Sequence, residues 1–159
     1  MKKDLFGPKV NYDHFAPPFV LVGLLNQFDN RYQSAADSQF GELTWKQMYF
    51  LHAIRLHKEA PTATDIAEFM GSSSQNANKL LAKMLNGEYV YTVQDEKDRR
   101  KQRIYLTEKA KDFLKNSHAG QSESVFEIFS EISPEELETT IDVMYRLIKR
   151  LEKWQEEHD

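Results

Sequence analysis

Cysteine is absent from the 159 residues, which removes disulfides, thiolate metal sites and thiol redox sensing together. No apolar run approaches the roughly 18 residues that a membrane span needs. The opening Met1-Lys2-Lys3-Asp4 leads into no apolar segment of the secretory type. A cytoplasmic protein with no membrane partner is therefore expected. The histidines are His14, His52, His57, His118 and His158, and none stands four residues from another as helix-borne metal ligands do. His52 and His57, five apart, would not face one way. There is no glycine-rich phosphate loop and no nucleophile elbow. No carboxylate pair sits among apolar residues that would shift its pKa. The chain offers no metal site, no cofactor site and nothing on which an enzyme could rest.

What is present is an unequal distribution of charge. The net charge is −4, with 40% hydrophobic residues to form a core and 29% charged residues to solvate it. Between Ser74 and Lys111 lie nine Lys/Arg and five Asp/Glu, whereas residues 121–159 hold four basic and eleven acidic ones. A local basic stripe on an acidic body attracts phosphate where it lies and discourages docking elsewhere. An ordinary mixed surface reads the same way on charge alone.

The length suggests a single domain, 1–159. Residues 1–16 read as a loose polar arm. Pro17-Pro18 opens a helix whose Leu21, Leu24, Leu25, Phe28 and Tyr32 recur at spacings of three and four. Ser34 to Gly41 reads as a connector. Thr44 with Gln47 has the form of a capping box, and Trp45, Met48, Leu51 and Ile54 make the buried stripe of the second helix. A short third helix, Asp65 to Met70, capped by Thr62 or Thr64, ends at Gly71, which supplies a left-handed residue. Ser72-Ser73-Ser74 then cap a fourth helix, with Ala77, Leu80, Leu81, Met84 and Leu85 inward and Gly87 as its stop. The period changes at Tyr89–Val93 and again at Ile104–Leu106. These two strands flank a charged tip, a hairpin. Thr107 caps a fifth helix with a bend near Gly120. Ser133-Pro134-Glu135-Glu136 starts a last helix carrying Leu137, Ile141, Met144, Ile148 and Leu151.

The fold class is thus mainly α with a small β-hairpin wing. The short helix, its Gly-Ser turn and the next helix have the layout of a helix-turn-helix, and a winged helix-turn-helix lobe spans 43–107. In this layout the second helix enters the major groove by its N-terminal end. Its candidate contacts are Ser73, Ser74, Gln75, Asn76, Asn78 and Lys79. Asn and Gln can bond adenine bidentately, and Ser can bond bases or phosphate. The same residue types also solvate ordinary surface helices. The hairpin adds Lys97, Arg99, Arg100, Lys101 and Arg103, and a narrow tip carrying Arg suits a minor groove. Asp95 and Asp98 are placed to pair with these arginines and fix their direction.

Four segments carry a family resemblance: Leu43-Thr44-Trp45-Lys46-Gln47, Pro61-Thr62-Ala63-Thr64-Asp65-Ile66-Ala67, Asp95-Glu96-Lys97-Asp98-Arg99-Arg100 and Ile104-Tyr105-Leu106-Thr107-Glu108-Lys109-Ala110. In this order they resemble the MarR (multiple-antibiotic-resistance regulator) family over about residues 17–155. The D-x-x-D-R-R wing followed by a strand ending in Leu-Thr is the most specific part. The resemblance implies a homodimer on a pseudo-palindromic duplex operator. It implies a recognition helix at about Ser74 to Asn86 and wing arginines at Arg99 and Arg100. It also implies a repressor released by a small aromatic effector. Ala77 and Asn78 depart from the Arg or Thr common in the recognition helix, so no operator carries over. Gly87 comes earlier than in the family pattern.

The apolar runs of the first and last helices are wide. Phe19, Val20, Leu21, Val22, Leu24 and Leu25 are nearly continuous, and Leu147, Ile148 and Trp154 broaden the last stripe. Such stripes can be buried on two sides, which makes 17–36 and 108–157 the expected dimerisation helices. Tyr12, His14, Phe15, Tyr49 and His52 are the candidate ligand-pocket residues, since rings with one polar tip suit a phenolic or carboxylate guest. The alternative function is a protein-interaction module that uses its winged helix without specific DNA binding.

Overall fold

The computed structural model describes residues 6–158 apart from Pro8, Asp13 and Phe40, with the side chains of Gln39 and 117–124 also outside the description. The elements are α1 (Pro17–Gln39), α2 (Trp45–Leu56), α3 (Ala63–Phe69), α4 (Ser74–Asn86), β1 (Val90–Gln94), β2 (Gln102–Leu106), α5 (Glu108–Ile128) and α6 (Pro134–Glu156). The strands pair antiparallel, from Val90 opposite Leu106 to Gln94 opposite Gln102. By packing, the chain forms two compact units, Met1–Lys115 and Asn116–Asp159.

Helix starts follow side-chain chemistry. Thr44, Thr62 and Ser133 each cap a helix through the side-chain oxygen, and their own amides donate in return to the side chains of Gln47, Asp65 and Glu136. Each box satisfies two amides that a helix leaves open. Of the two threonines offered for α3, Thr62 is the cap. Thr107 caps α5 by accepting from the Ala110 amide at 3.2 Å. Its hydroxyl also donates to the carbonyls of Glu88 and Tyr89, tying α5 to the exit of α4.

Two expectations are corrected. Residues 34–39 continue α1 instead of forming a connector. Ala35 and Ala36 are strong helix formers, Ala36 is buried, and the left-handed residue beyond the helix is Gly41 at φ 62°. The arm is not loose at Tyr12, which is buried with its ring edge-on to Phe6. Gly87 ends α4 as expected, and the left-handed residue is the next one, Glu88, at φ 59°. Gly87 serves by its missing side chain, because a Cβ there would stand 3.0 Å from the Tyr89 ring. The bend suggested near Gly120 falls within 117–124, outside the fully described residues.

The core of the first unit gathers Met48, Phe50, Leu51, Ile66, Met84 and Ile104, all fully buried. It joins α2, α3, α4 and the hairpin, so the helix-turn-helix and the wing share one core. Phe50 lies at its centre although it stands beside, not on, the anticipated stripe of α2. Phe50→Ala is expected to cost about 3–5 kcal/mol, the usual loss for an emptied aromatic site, measured by urea unfolding. A cost under 1 kcal/mol would show that the core can collapse around it. In α6 no residue is buried.

Candidate nucleic-acid interface

The turn between α3 and α4 is set by Gly71 at φ +59°, a conformation other residues adopt at a cost. Ser73 then caps α4, accepting from the Asn76 amide at 3.3 Å. With Ala77 and Met84 buried, the 100° step of a helix puts Gln75, Lys79, Ala82 and Asn86 on the opposite side. Asn78 falls on one flank, Asn76 and Lys83 on the other. Ser74, Gln75, Asn76, Asn78 and Lys79 are all exposed. Asn78 is partly committed, since its amide nitrogen donates to the Ser74 carbonyl at 2.9 Å. Gln75 and Asn76 make no side-chain bond among the described residues.

The wing tip is organised around Asp95. Its carboxylate accepts from the amides of Lys97 (2.9 Å) and Asp98 (2.8 Å) and from Nε of Arg103 (2.5 Å). Asp98 in turn accepts from the amide and Nε of Arg100, both at 3.1 Å. Gln94 donates to the Arg99 carbonyl at 2.7 Å. The anticipated pairing of the two aspartates with wing arginines is therefore present, as Asp95 with Arg103 and Asp98 with Arg100.

These partners separate the basic residues into two groups. Arg103 stands with the DNA contacts in the sequence reading, but it is drawn inward. Its Nε meets Asp95, and its Nη1 donates to the Ala60 carbonyl at 3.0 Å. Beside it the Ile104 amide donates to the Pro61 carbonyl at 2.8 Å. Arg103 thus fastens the wing root to the segment before α3. Lys97, Arg99 and Lys101 are exposed with no ion pair among the described residues, and Arg100 is exposed but held by Asp98. No sequence signal placed Ala60 beside Arg103, so this role was invisible there.

The bonds from the Asp98 amide, Arg103 and the Lys97 amide hold the Asp95 carboxyl down at about 2, well below its usual value. A depressed folded-state value adds stability above the unfolded carboxyl's pKa, and that stability is lost as pH falls through the folded value. The Lys97 and Asp98 amide resonances should therefore hold their shifts at pH 3.5 and move with a midpoint near 2. A midpoint near 4 would mean that the turn does not hold the carboxylate. Arg100 likewise lowers Asp98.

The five candidate ligand residues do not converge. Tyr12 and Phe15 line an apolar groove of about 430 Å³ with Phe6, Val10, Phe19 and Val20. Tyr49 lines a different groove, of about 610 Å³, between α1, α2 and α4. His14 is exposed and His52 half-buried. Sequence spacing alone could not separate these sites. Among the described residues no group of His, Asp or Glu is arranged to hold a metal, and no helix is long and apolar enough to cross a membrane.

Residues 42–101 match the model of the MarR family. A comparison with curated protein sequences finds no match. Among solved structures the chain is similar to a MarR protein from Peptoclostridium difficile, with a TM-score of 0.80 at 16% identity over 96% of this chain and 99% of that one. It is similar to S. aureus MepR in a DNA complex, at 0.75 and 19% over 86% and 99%. It is also similar to the organohalide-sensing regulator RdhR bound to 2,4-dichlorophenol, at 0.77 and 16% over 92% and 88%. These likenesses establish the winged-helix fold.

Proposed function

From a winged helix whose residues 42–101 match the MarR family, we infer that this protein is a member of that family and a DNA-binding transcriptional regulator. It acts as a homodimeric repressor on a pseudo-palindromic operator. The observation that carries this reading is the combination of an exposed polar face on α4, with Gln75 at its centre, and a wing whose Arg99 has no ion pair among the described residues. Base edges are read by Gln75 and Asn76, while phosphate contacts by Lys79, Lys97 and Lys101 set affinity. The MepR–DNA relative supports duplex DNA as the partner. A second copy covers the exposed apolar residues of α6 and matches the two-fold symmetry of a palindrome.

A small aromatic effector suits the apolar groove around Phe6, Tyr12 and Phe15, and the phenol held by RdhR supports that chemistry. The test is capture of random genomic duplex fragments at ~150 mM salt, with and without 2,4-dichlorophenol. An enriched inverted repeat, lost when the phenol is added, is the expected result. Weak binding without enrichment and with a flat salt dependence would move the function to a protein partner.

A further inference from the structure

The 610 Å³ groove brings together two residues, Lys46 and Lys83, that the function of α4 and the wing leaves unused. One wall is the flank of α4, with Asn76, Lys79 and Lys83; the other is the first turn of α2, with Lys46; Trp45 and Tyr49 also line it. Lys46, Lys79 and Lys83 form no ion pair among the described residues. Lys79 and Lys83 lie one helical turn apart and so share a side of α4. The lining holds one carboxylate, Asp29, which already accepts from Nε2 of Gln33 at 2.5 Å. Three like charges around a concavity repel one another, and a concave wall focuses their field. An anion in the groove relieves that repulsion.

The position of the groove says which anion. The side of α4 that carries Gln75 and Lys79 is the side available to a major groove, and a major groove is bordered by sugar–phosphate strands. The strand that passes beside α4 on the Asn76 and Lys83 flank meets this groove. Lys46 stands on its far side. We propose that Lys46 and Lys83 form a two-sided clamp on the DNA backbone, each ammonium donating to a phosphate oxygen of the strand that runs between α2 and α4. The rings of Trp45 and Tyr49 offer apolar surface to the sugars. Of the first-turn amides of α2, those of Thr44, Trp45 and Gln47 are bonded to Gln47, Asp37 and Thr44. The lysine side chains therefore supply the contact. The clamp fixes register without reading sequence, and it rests on the DNA-binding function proposed above.

The test measures log affinity against log salt for the parent, Lys46→Gln, Lys83→Gln and the double variant. Each lost phosphate contact should reduce the slope by about 0.9, and the double variant's by about 1.8. The enriched sequence should stay the same, and Lys46→Arg should keep the parent slope. A steep parent slope that the double variant leaves unchanged overturns the clamp and leaves DNA binding standing. A flat parent slope removes DNA binding and the clamp with it. A second measurement leaves the protein unaltered: operator duplexes carrying one neutral methylphosphonate at successive positions. One position should reduce the parent slope while having no effect on Lys46→Gln. If every position affects both proteins equally, the clamp is wrong.

Discussion

Arg99→Ala is expected to weaken operator binding by about tenfold or more, which corresponds to roughly 1–3 kcal/mol. The wing itself should remain intact. The backbone of Arg99 is fixed by Gln94, while its guanidinium has no carboxylate partner among the described residues. On the proposed reading it is the wing arginine expected to enter a narrow minor groove, where negative potential is enhanced. Arg100→Ala should cost less, because Asp98 already engages that side chain and DNA must compete with it. Arg103→Ala should act by another route, releasing Asp95 and the Ala60 carbonyl and so loosening the wing root. Fluorescence anisotropy with a labelled operator measures all three affinities. The Lys97 and Asp98 amide shifts separate the routes, staying in place in the Arg99 variant and moving in the Arg103 variant. Parent-like binding by Arg99→Ala would take the wing out of the minor groove.

The other large effect concerns α6. Ile141 is 67% exposed, Leu151 59% and Trp154 50%, with Ile148 close behind. Large contiguous apolar surface on a single chain marks an interaction site. Replacing both Ile141 and Ile148 by Glu should give a monomer at micromolar concentration with unchanged far-UV circular dichroism. The side chains are already exposed in the single chain, so the substitutions leave no buried charge. Affinity for an inverted repeat should fall by about 10²–10⁴, the advantage that linking two half-site contacts confers. Sedimentation equilibrium reads the mass directly. A variant that remains dimeric would place the interface elsewhere.

Most of this architecture is legible in the sequence because its signals are local. Thr44 with Gln47 and Ser133 with Glu136 announce helix starts three residues apart, and the structure closes both boxes. Gly71 followed by three serines marks the turn of the helix-turn-helix. The change of period after Gly87 locates the hairpin, although β1 begins at Val90 and not Tyr89. What the sequence conceals depends on contacts between distant residues. The polar run at 34–39 hides a helix that Ala36 helps to anchor. Arg103 looks like its basic neighbours until the Ala60 carbonyl, 43 residues away, is found beside it. The aromatic residues grouped as one pocket divide between two grooves because Tyr12 and Tyr49 pack on different neighbours. Lys46 and Lys83 carry no local signal of a shared role, since one sits in the first turn of α2 and the other late in α4. Only the fold brings them to a common groove.

The carboxylate of Asp95, gathering two amides and a guanidinium, has a consequence for timing. A loop ordered by its own bonds loses its conformational entropy when the chain folds, and association need not order it again. Its on-rate is then set by electrostatic encounter and not by a search through loop conformations. On the DNA-binding reading proposed above, the wing would meet the duplex with its shape already fixed, and a weakened wing contact should show first as a shorter residence time.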